Sequence, residues 1–240
     1  MSADGCQAEG TTEVAPQGKC AGMPLVRAFV QARMSSQRFP GKVLAPFRGR
    51  PLIWHVVSAV QQALPAVPLV VVTSEAASDD PLVAYVQSLG LEVFRGPLAN
   101  VFARFRACLA RYPCAWILRV SGDSPLLDGR VLRRVVHTAL HTPCDVATTV
   151  FPRTFPSGHN AEMIRAATFL RLDQAALTAE EQEHVTLHFY RHAERFRLVN
   201  VASGNPALAR LHLAVDTLDD LRRLETSAPF DLAEYEALVG

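Results

Sequence analysis

The sequence predicts an α/β fold, a mainly parallel sheet with helices on both faces, and three observations carry that reading. The chain has 240 residues, 49% of them hydrophobic, enough for one large domain with a small appendage. From Leu25 onward, short β-rich runs alternate with segments of helical period, the pattern of strands joined by crossover helices. The run CAWILRV at 114–120 is apolar on both sides, as a strand covered from two faces must be.

Taken in order, LVRAFVQ at 25–31 is the first strand, followed by the polar loop ARMSSQRFPGK. Pro51 opens the helix LIWHVVSAVQQAL, since proline's missing N–H costs nothing in a first turn. PLVVVTS is the second strand, DDPLVAYVQSLG a helix stopped by Gly90, LEVFRG the third strand, and NVFARFRACLARY a helix with apolar residues three and four apart. CAWILRVSGDSP supplies the fourth strand, DGRVLRRVVHTALH a helix, and CDVATTV another strand. The rhythm then changes. FPRTFPSGHNAEMI at 151–164 is Pro-rich and reads as irregular, two helices follow in succession, and a small lobe distinct from the core is expected there. FRLVNVAS and LHLAVDT are expected to return to the sheet as strands before LDDLRRLET closes as a helix. Residues 1–23 lack periodicity and read as a disordered tail ahead of a domain spanning 24–240. Because Met23 directly precedes the first strand, a start at Met23 is the alternative.

Lys and Arg number 24 against 23 Asp and Glu, a net charge of +1, whereas a surface that tracks nucleic acid is strongly basic. No nucleic-acid partner is expected, and any anion site must be local. No apolar run approaches the roughly 18 residues of a membrane span, and the amino-terminal stretch has no secretory core. A cytoplasmic protein without membrane association is therefore expected. Cys6, Cys20, Cys108, Cys114 and Cys144 make neither CxxC pairs nor an even framework and read as free thiols.

In open parallel sheets, ligands sit beyond the carboxyl ends of the strands. After the first strand come Arg33, Ser35, Ser36, Arg38 and Lys42, with Gly41 letting backbone approach a ligand. Hydroxyls, backbone N–H groups and cations in one loop suit a triphosphate; a solvated basic loop is the competing reading. The loop is not a Walker A element, having Ser36 and Val43 where Gly and Ser or Thr are required. The dinucleotide pattern G-x-G-x-x-G is also absent. After the fourth strand, SGDSP places Asp123 where a carboxylate can hold Mg2+, a hard cation satisfied by few protein oxygens. Asp128 fits a helix cap better than Asp123 does. AVDTLDDL repeats the arrangement at Asp216, where capping by Asp216 or Thr217 is the stronger alternative.

The segments VQARMSSQRFPGKVLAPFRGRPLIWHVV, VVVTSEAASDDPLVAYVQSLGLEVFRG, NVFARF, RVSGDSPLLD, EHVTLHFYRH and LAVDTLDDL together resemble the cytidylyltransferase family of the spore coat polysaccharide biosynthesis protein F type. That family is similar to the CMP-sialate and CMP-Kdo synthetases. The resemblance runs from Leu25 to about Leu224 and implies a Rossmann-like nucleotidyltransferase fold that uses Mg2+ to convert CTP and an acidic sugar, or a related small-molecule acceptor, into a CMP conjugate and pyrophosphate. It implies catalytic roles for Arg33, Lys42 and Asp123, and metal binding by Asp123 and Asp216. Nucleotide contacts fall to Gln31, Ala32, Arg33, Ser35, Ser36, Arg38, Lys42, Thr73, Ser74 and Arg104, and acceptor contacts to Asn160, Glu162, Glu183 and His184. A homodimer is compatible with it. Two positions depart from the pattern: Asn160 stands in an Asp place of the acceptor loop, and Asn100 stands where Asp is common.

His184, His188 and His192 fall at i, i+4 and i+8 of one expected helix. The spacing can bind zinc, but no Glu follows His184 to make H-E-x-x-H, and a half-buried packing or interface face accounts for it more simply. A glycosyltransferase using a nucleotide sugar and a non-catalytic nucleotide-binding protein are the rival functional readings.

Overall fold

A computed structural model describes residues 25–227. The expected tail, Cys6, Cys20 and the last residues of the expected domain lie outside the described residues. Strand β1, Val26–Gln31, leads through the polar loop and a 3-10 turn at Lys42–Leu44 into a two-strand hairpin, β2 at Pro46–Phe47 and β3 at Arg50–Pro51. Then follow α1 (Leu52–Ala63), β4 (Leu69–Ser74), α2 (Asp80–Ser88), β5 (Glu92–Gly96), α3 (Val101–Arg111), β6 (Trp116–Ser121), α4 (Gly129–His141) and β7 (Val146–Thr148). The chain continues through β8 (Ala161–Arg165), α5 (Ala166–Leu170), α6 (Ala179–Glu183), α7 (Leu187–Arg191), β9 (Leu198–Asn200) and α8 (Leu218–Thr226).

Seven strands form one sheet in the order β5-β4-β1-β6-β8-β7-β9. β5, β4, β1 and β6 pair in parallel, β8 runs antiparallel to both β6 and β7, and β7 pairs with β9 in parallel. Strand alternation divides the core between the two faces. Ala28, Val30, Val71 and Leu118 pack with Val56, Val60 and Leu132 of α1 and α4, whereas Phe29, Val70, Val72 and Ile117 pack with Phe102 and Phe105 of α3 and Phe169 and Phe189 of α5 and α7. A third cluster of Phe47, Leu52, Leu213, Val215, Leu221 and Leu224 holds α8 near the β2–β3 hairpin. Cys108, Cys114 and Cys144 are free and buried.

Four elements differ from the sequence reading. Pro51 caps α1 from outside, with extended dihedrals, so the first turn begins at Leu52. Residues 161–164, expected as irregular loop, form β8 together with Arg165 and insert between β6 and β7. The Pro-rich signal ends at the preceding turn, where Gly158 has φ 102° and lies so close to Leu213 that a Cβ would meet its carbonyl carbon at 2.6 Å. LHLAVDT is not a sheet strand. It makes one bridge, His212 to Ser157, because its apolar residues Leu213 and Val215 are buried against Phe47 and Leu52 rather than by sheet pairing. Finally, the expected histidine helix breaks: α6 ends at Glu183 with His184 as its C-cap, and α7 begins at Leu187.

Candidate active site

A cavity of about 590 Å³ opens beyond the carboxyl ends of β1 and β6. It is lined from β1 and its loop by Gln31, Ala32, Arg33, Ser36, Gln37, Arg38, Lys42 and Val43, from the end of β6 by Ser121, Gly122 and Asp123, and from elsewhere by Glu183, His184 and Asp216. Two glycines shape it. Gly41 adopts φ 76°, a left-handed conformation in which L side chains are strained, and it starts the turn that carries Lys42. Gly122 sits against β1; its N–H donates to Gln31 O at 2.8 Å, and a Cβ there would lie 2.9 Å from Ala32 Cβ.

Lys42 is the centre of the charge arrangement. Its Nζ is 2.7 Å from Asp123 Oδ2 and 3.2 Å from Asp216 Oδ1, and it donates to Val215 O at 2.9 Å. Arg38 adds a second cation 3.0 Å from Asp216 Oδ1. Neither aspartate is a helix cap. Asp128 caps α4, and Thr217 caps α8 in a reciprocal capping box with Asp220. Asp123 and Asp216 each keep a second carboxylate oxygen that Lys42 does not engage, and both side chains are 25% exposed. Such a half-exposed pair of carboxylates, set among cations able to meet phosphate, fits a hard divalent cation.

The loop is anchored from behind by Asp79, a residue the sequence reading missed. Asp79 is fully buried. Its Oδ1 accepts from Met34 N at 2.7 Å, and Met34 O in turn accepts from the N–H groups of Ser36 and Gly41 at 2.9 and 2.8 Å. Its Oδ2 accepts from Thr73 Oγ1 at 2.8 Å, Ser74 N at 2.9 Å and the Ser74 hydroxyl. Burial pushes the Asp79 carboxyl up, but the hydrogen bonds from Ser74, Met34 and Thr73 outweigh it and hold the group below the ordinary carboxylate range.

Thr73 and Ser74, expected among the nucleotide contacts, do not line the cavity; both are fully buried and their hydroxyls go to Asp79. Arg104, also expected there, does not line the cavity either. It is fully buried, and its Nε and Nη2 donate to the carbonyls of Pro97 and Leu98. The Ser35 hydroxyl is buried and outside the lining, whereas Ser36 is in it.

The acceptor-side residues divide. Glu183 and His184 line the cavity, and Glu183 Oε1 faces Arg33 Nη2 at 3.4 Å, joining α6 to the loop after β1. Asn160 does not line it; its Oδ1 accepts from Arg153 Nη1 at 2.6 Å. Glu162 is buried on β8, bound by Arg119 and by Tyr190 Oη at 2.5 Å. Arg119 also donates to Gln31 Oε1 at 3.0 and 3.2 Å, so this arginine links Glu162 to the cavity-lining Gln31. Burial and then the Glu162 carboxylate push the Tyr190 hydroxyl well above its ordinary value. Asn100, the other departure, caps α3 and accepts from Ala103 N at 2.8 Å. Gln37 and Ser121 were also missed, although both sit inside motifs already singled out, SSQR and SGD.

A mainly parallel sheet whose strand ends present a basic loop and two aspartates around one lysine defines a nucleotidyltransferase. The chain belongs to the cytidylyltransferase family, whose model matches residues 28–239. Among its relatives, the spore coat polysaccharide biosynthesis protein SpsF of Bacillus subtilis strain 168 is 29% identical over 203 residues, covering 82% of this chain and 83% of the relative. The 3-deoxy-manno-octulosonate cytidylyltransferase of Anaeromyxobacter dehalogenans strain 2CP-C is 29% identical over 219 residues, 89% of this chain and 82% of the relative. Of solved structures, a cytidylyltransferase from Leptospira borgpetersenii serovar Hardjo-bovis superposes with a TM-score of 0.82 at 25% identity, covering 90% of this chain and 94% of that one. A CMP:2-keto-3-deoxy-manno-octonic acid synthetase solved with CTP shares the fold, with a TM-score of 0.64 at 16% identity and coverage of 83% and 96%. Among the described residues, no helix is long and apolar enough to cross a membrane.

Proposed function

We propose that this cytidylyltransferase transfers CMP from CTP to an acidic sugar, with Mg2+ as cofactor and pyrophosphate as the second product, in the synthesis of a surface polysaccharide or glycan. The observation that carries the reading is Lys42 held between Asp123 and Asp216 at the mouth of the basic loop. The acceptor class is supported by the names of the relatives, one acting on 3-deoxy-manno-octulosonate and one assigned to spore coat polysaccharide synthesis.

In this reading the acceptor oxygen forms a bond to the α-phosphorus as the bond to the pyrophosphate oxygen breaks, and the acceptor's proton passes to water. Arg33, Arg38 and Lys42 stabilise the charge that accumulates on the phosphate oxygens, and Ser36 with the backbone of the loop orients them. Asp123 and Asp216 are the residues that would hold Mg2+, which when bound supplies further positive charge to the phosphates. Asp79 fixes the loop backbone through Met34, which limits how far the segment carrying these side chains must reorganise. Glu183 and His184 face the loop across the cavity and contact the acceptor.

The test is CTP turnover with Mg2+ across a panel of acidic sugars, following pyrophosphate and identifying the product by mass. A CMP–sugar conjugate formed with stoichiometric pyrophosphate is the expected result. Glycosyl transfer from a nucleotide sugar, or CTP binding without turnover on any acceptor, would overturn it in favour of one of the two rivals.

A further inference from the structure

Behind Glu183 and His184, the break between α6 and α7 brings together three side chains that the transfer reaction does not use. Glu181 Oε1 lies 3.0 Å from His188 Nδ1 and 3.7 Å from His192 Nε2, and all three donor atoms are within 4.8 Å of one another. We propose that Glu181, His188 and His192 bind one divalent ion of the Zn2+ class, which clips α6 to α7. The histidine set read from the sequence as a packing or interface face, with zinc as the lesser reading, is thereby altered: the helix break places His184 at the cavity, and Glu181 takes the third place.

Four features support this site. Tetrahedral zinc with bonds near 2.0–2.1 Å has ligand-to-ligand edges of roughly 3.3 Å, and the two distances from Glu181 Oε1 bracket that value. The 3.7 Å separation is too long for a hydrogen bond, so the carboxylate hydrogen-bonds His188 alone and meets His192 only at ion-pair distance. Glu181 is oriented as metal carboxylates are, by partners on its other oxygen: Oε2 accepts from Thr178 N at 2.9 Å and Thr178 Oγ1 at 3.0 Å in the cap of α6. Access is also provided, since His192 is 39% exposed while Glu181 is 4% exposed, leaving room for water at a remaining coordination position.

The neighbouring carboxylates are occupied elsewhere, Glu180 with Arg191 and Glu183 with Arg33. Two imidazoles and one carboxylate select Zn2+ or Co2+ over Mg2+, whereas the all-oxygen pair Asp123 and Asp216 has the opposite preference. The two sites are therefore separable by metal.

The experiment uses the full chain, stripped with chelator and titrated with Co2+ in excess Mg2+, reading visible absorption and then displacement by Zn2+. One equivalent of Co2+ should produce ligand-field bands, and Zn2+ should remove them. His192→Ala changes a half-exposed side chain and should weaken binding by at least about tenfold, with the melting temperature of the metal-free protein unchanged. His188→Ala should do the same; where it fails to fold, His192→Ala alone decides. Absence of stoichiometric binding in the wild type, or a loss smaller than tenfold in His192→Ala, would overturn the site and leave Glu181 and His188 as a plain ion pair.

Discussion

Lys42 Nζ lies 2.7 Å from Asp123 Oδ2, a contact across 81 residues that ties the loop after β1 to the end of β6. The same ammonium reaches Asp216, 174 residues away, at 3.2 Å. Removing one partner tests the charge arrangement rather than the fold. Lys42→Ala should lower kcat/KM for CTP by roughly 2 to 4 kcal/mol in transition-state terms, the scale of one preorganised electrostatic contact, and extra Mg2+ should not restore it. Asp123→Asn should slow turnover and also shift the Mg2+ requirement upward. Pyrophosphate release measured against Mg2+ concentration separates the two, and an unchanged Mg2+ dependence in Asp123→Asn would rule the residue out as a ligand.

Asp79→Ala should damage both stability and nucleotide use. The substitution leaves Met34 N and the buried hydroxyls of Thr73 and Ser74 without their acceptor, a loss of about 2 to 4 kcal/mol for a buried polar cluster. Because Met34 O organises Ser36 and Gly41, KM for CTP should rise as well. Urea denaturation and steady-state kinetics check the two effects; a variant with lowered stability but unaltered KM would show that the loop holds its form without Asp79.

Gly122→Ala tests the close approach of β1 and β6. The added methyl would meet Ala32 Cβ at 2.9 Å and Gln31 O at 3.1 Å, and backbone cannot yield as a flexible side chain does. A destabilisation of about 1 to 3 kcal/mol is expected, together with reduced turnover as the strand ends part and Asp123 moves. Thermal melts and CTP turnover measure both.

His159 should make the protein acid-sensitive. The residue is fully buried, and that burial, offset only in part by Asp128, pulls its pKa from 6.5 down to about 4. Between those values the unfolded chain takes up a proton that the folded chain refuses, so folding stability rises with pH across that interval and falls on acidification. The loss on going from about pH 7 to pH 4 is on the order of 3 kcal/mol. In His159→Gln the decline measured by denaturant melts over that range should be shallower; an identical slope would assign the acid sensitivity to other groups.

The parallel half of the sheet was legible because its determinants are local. β1, β4 and β6 are short apolar runs, and their covering helices show helical period with polar punctuation, so each could be placed from its own residues. The rule that ligands gather beyond parallel strand ends then pointed to Arg33, Lys42 and Asp123, whereas Asp216 follows a segment read as a strand that lies outside the sheet. The second half was less legible. β8 follows a Pro-rich turn whose chemistry masked the strand, and LHLAVDT has the alternation of a strand but buries Leu213 and Val215 against the hairpin and α1.

Sequence alone therefore determined the α/β class and which loops carry charge, since periodicity and composition act over a few neighbouring residues. Tertiary structure decided what each polar group meets. Thr73 and Ser74 end a strand beside the site, yet their hydroxyls turn to a buried Asp79 because an ionised carboxylate removed from water requires donors. Glu162 is likewise turned to Arg119 and Tyr190, and Lys42 stands between Asp123 and Asp216. Partners separated by many residues are selected by strand order and register, and no local pattern records those.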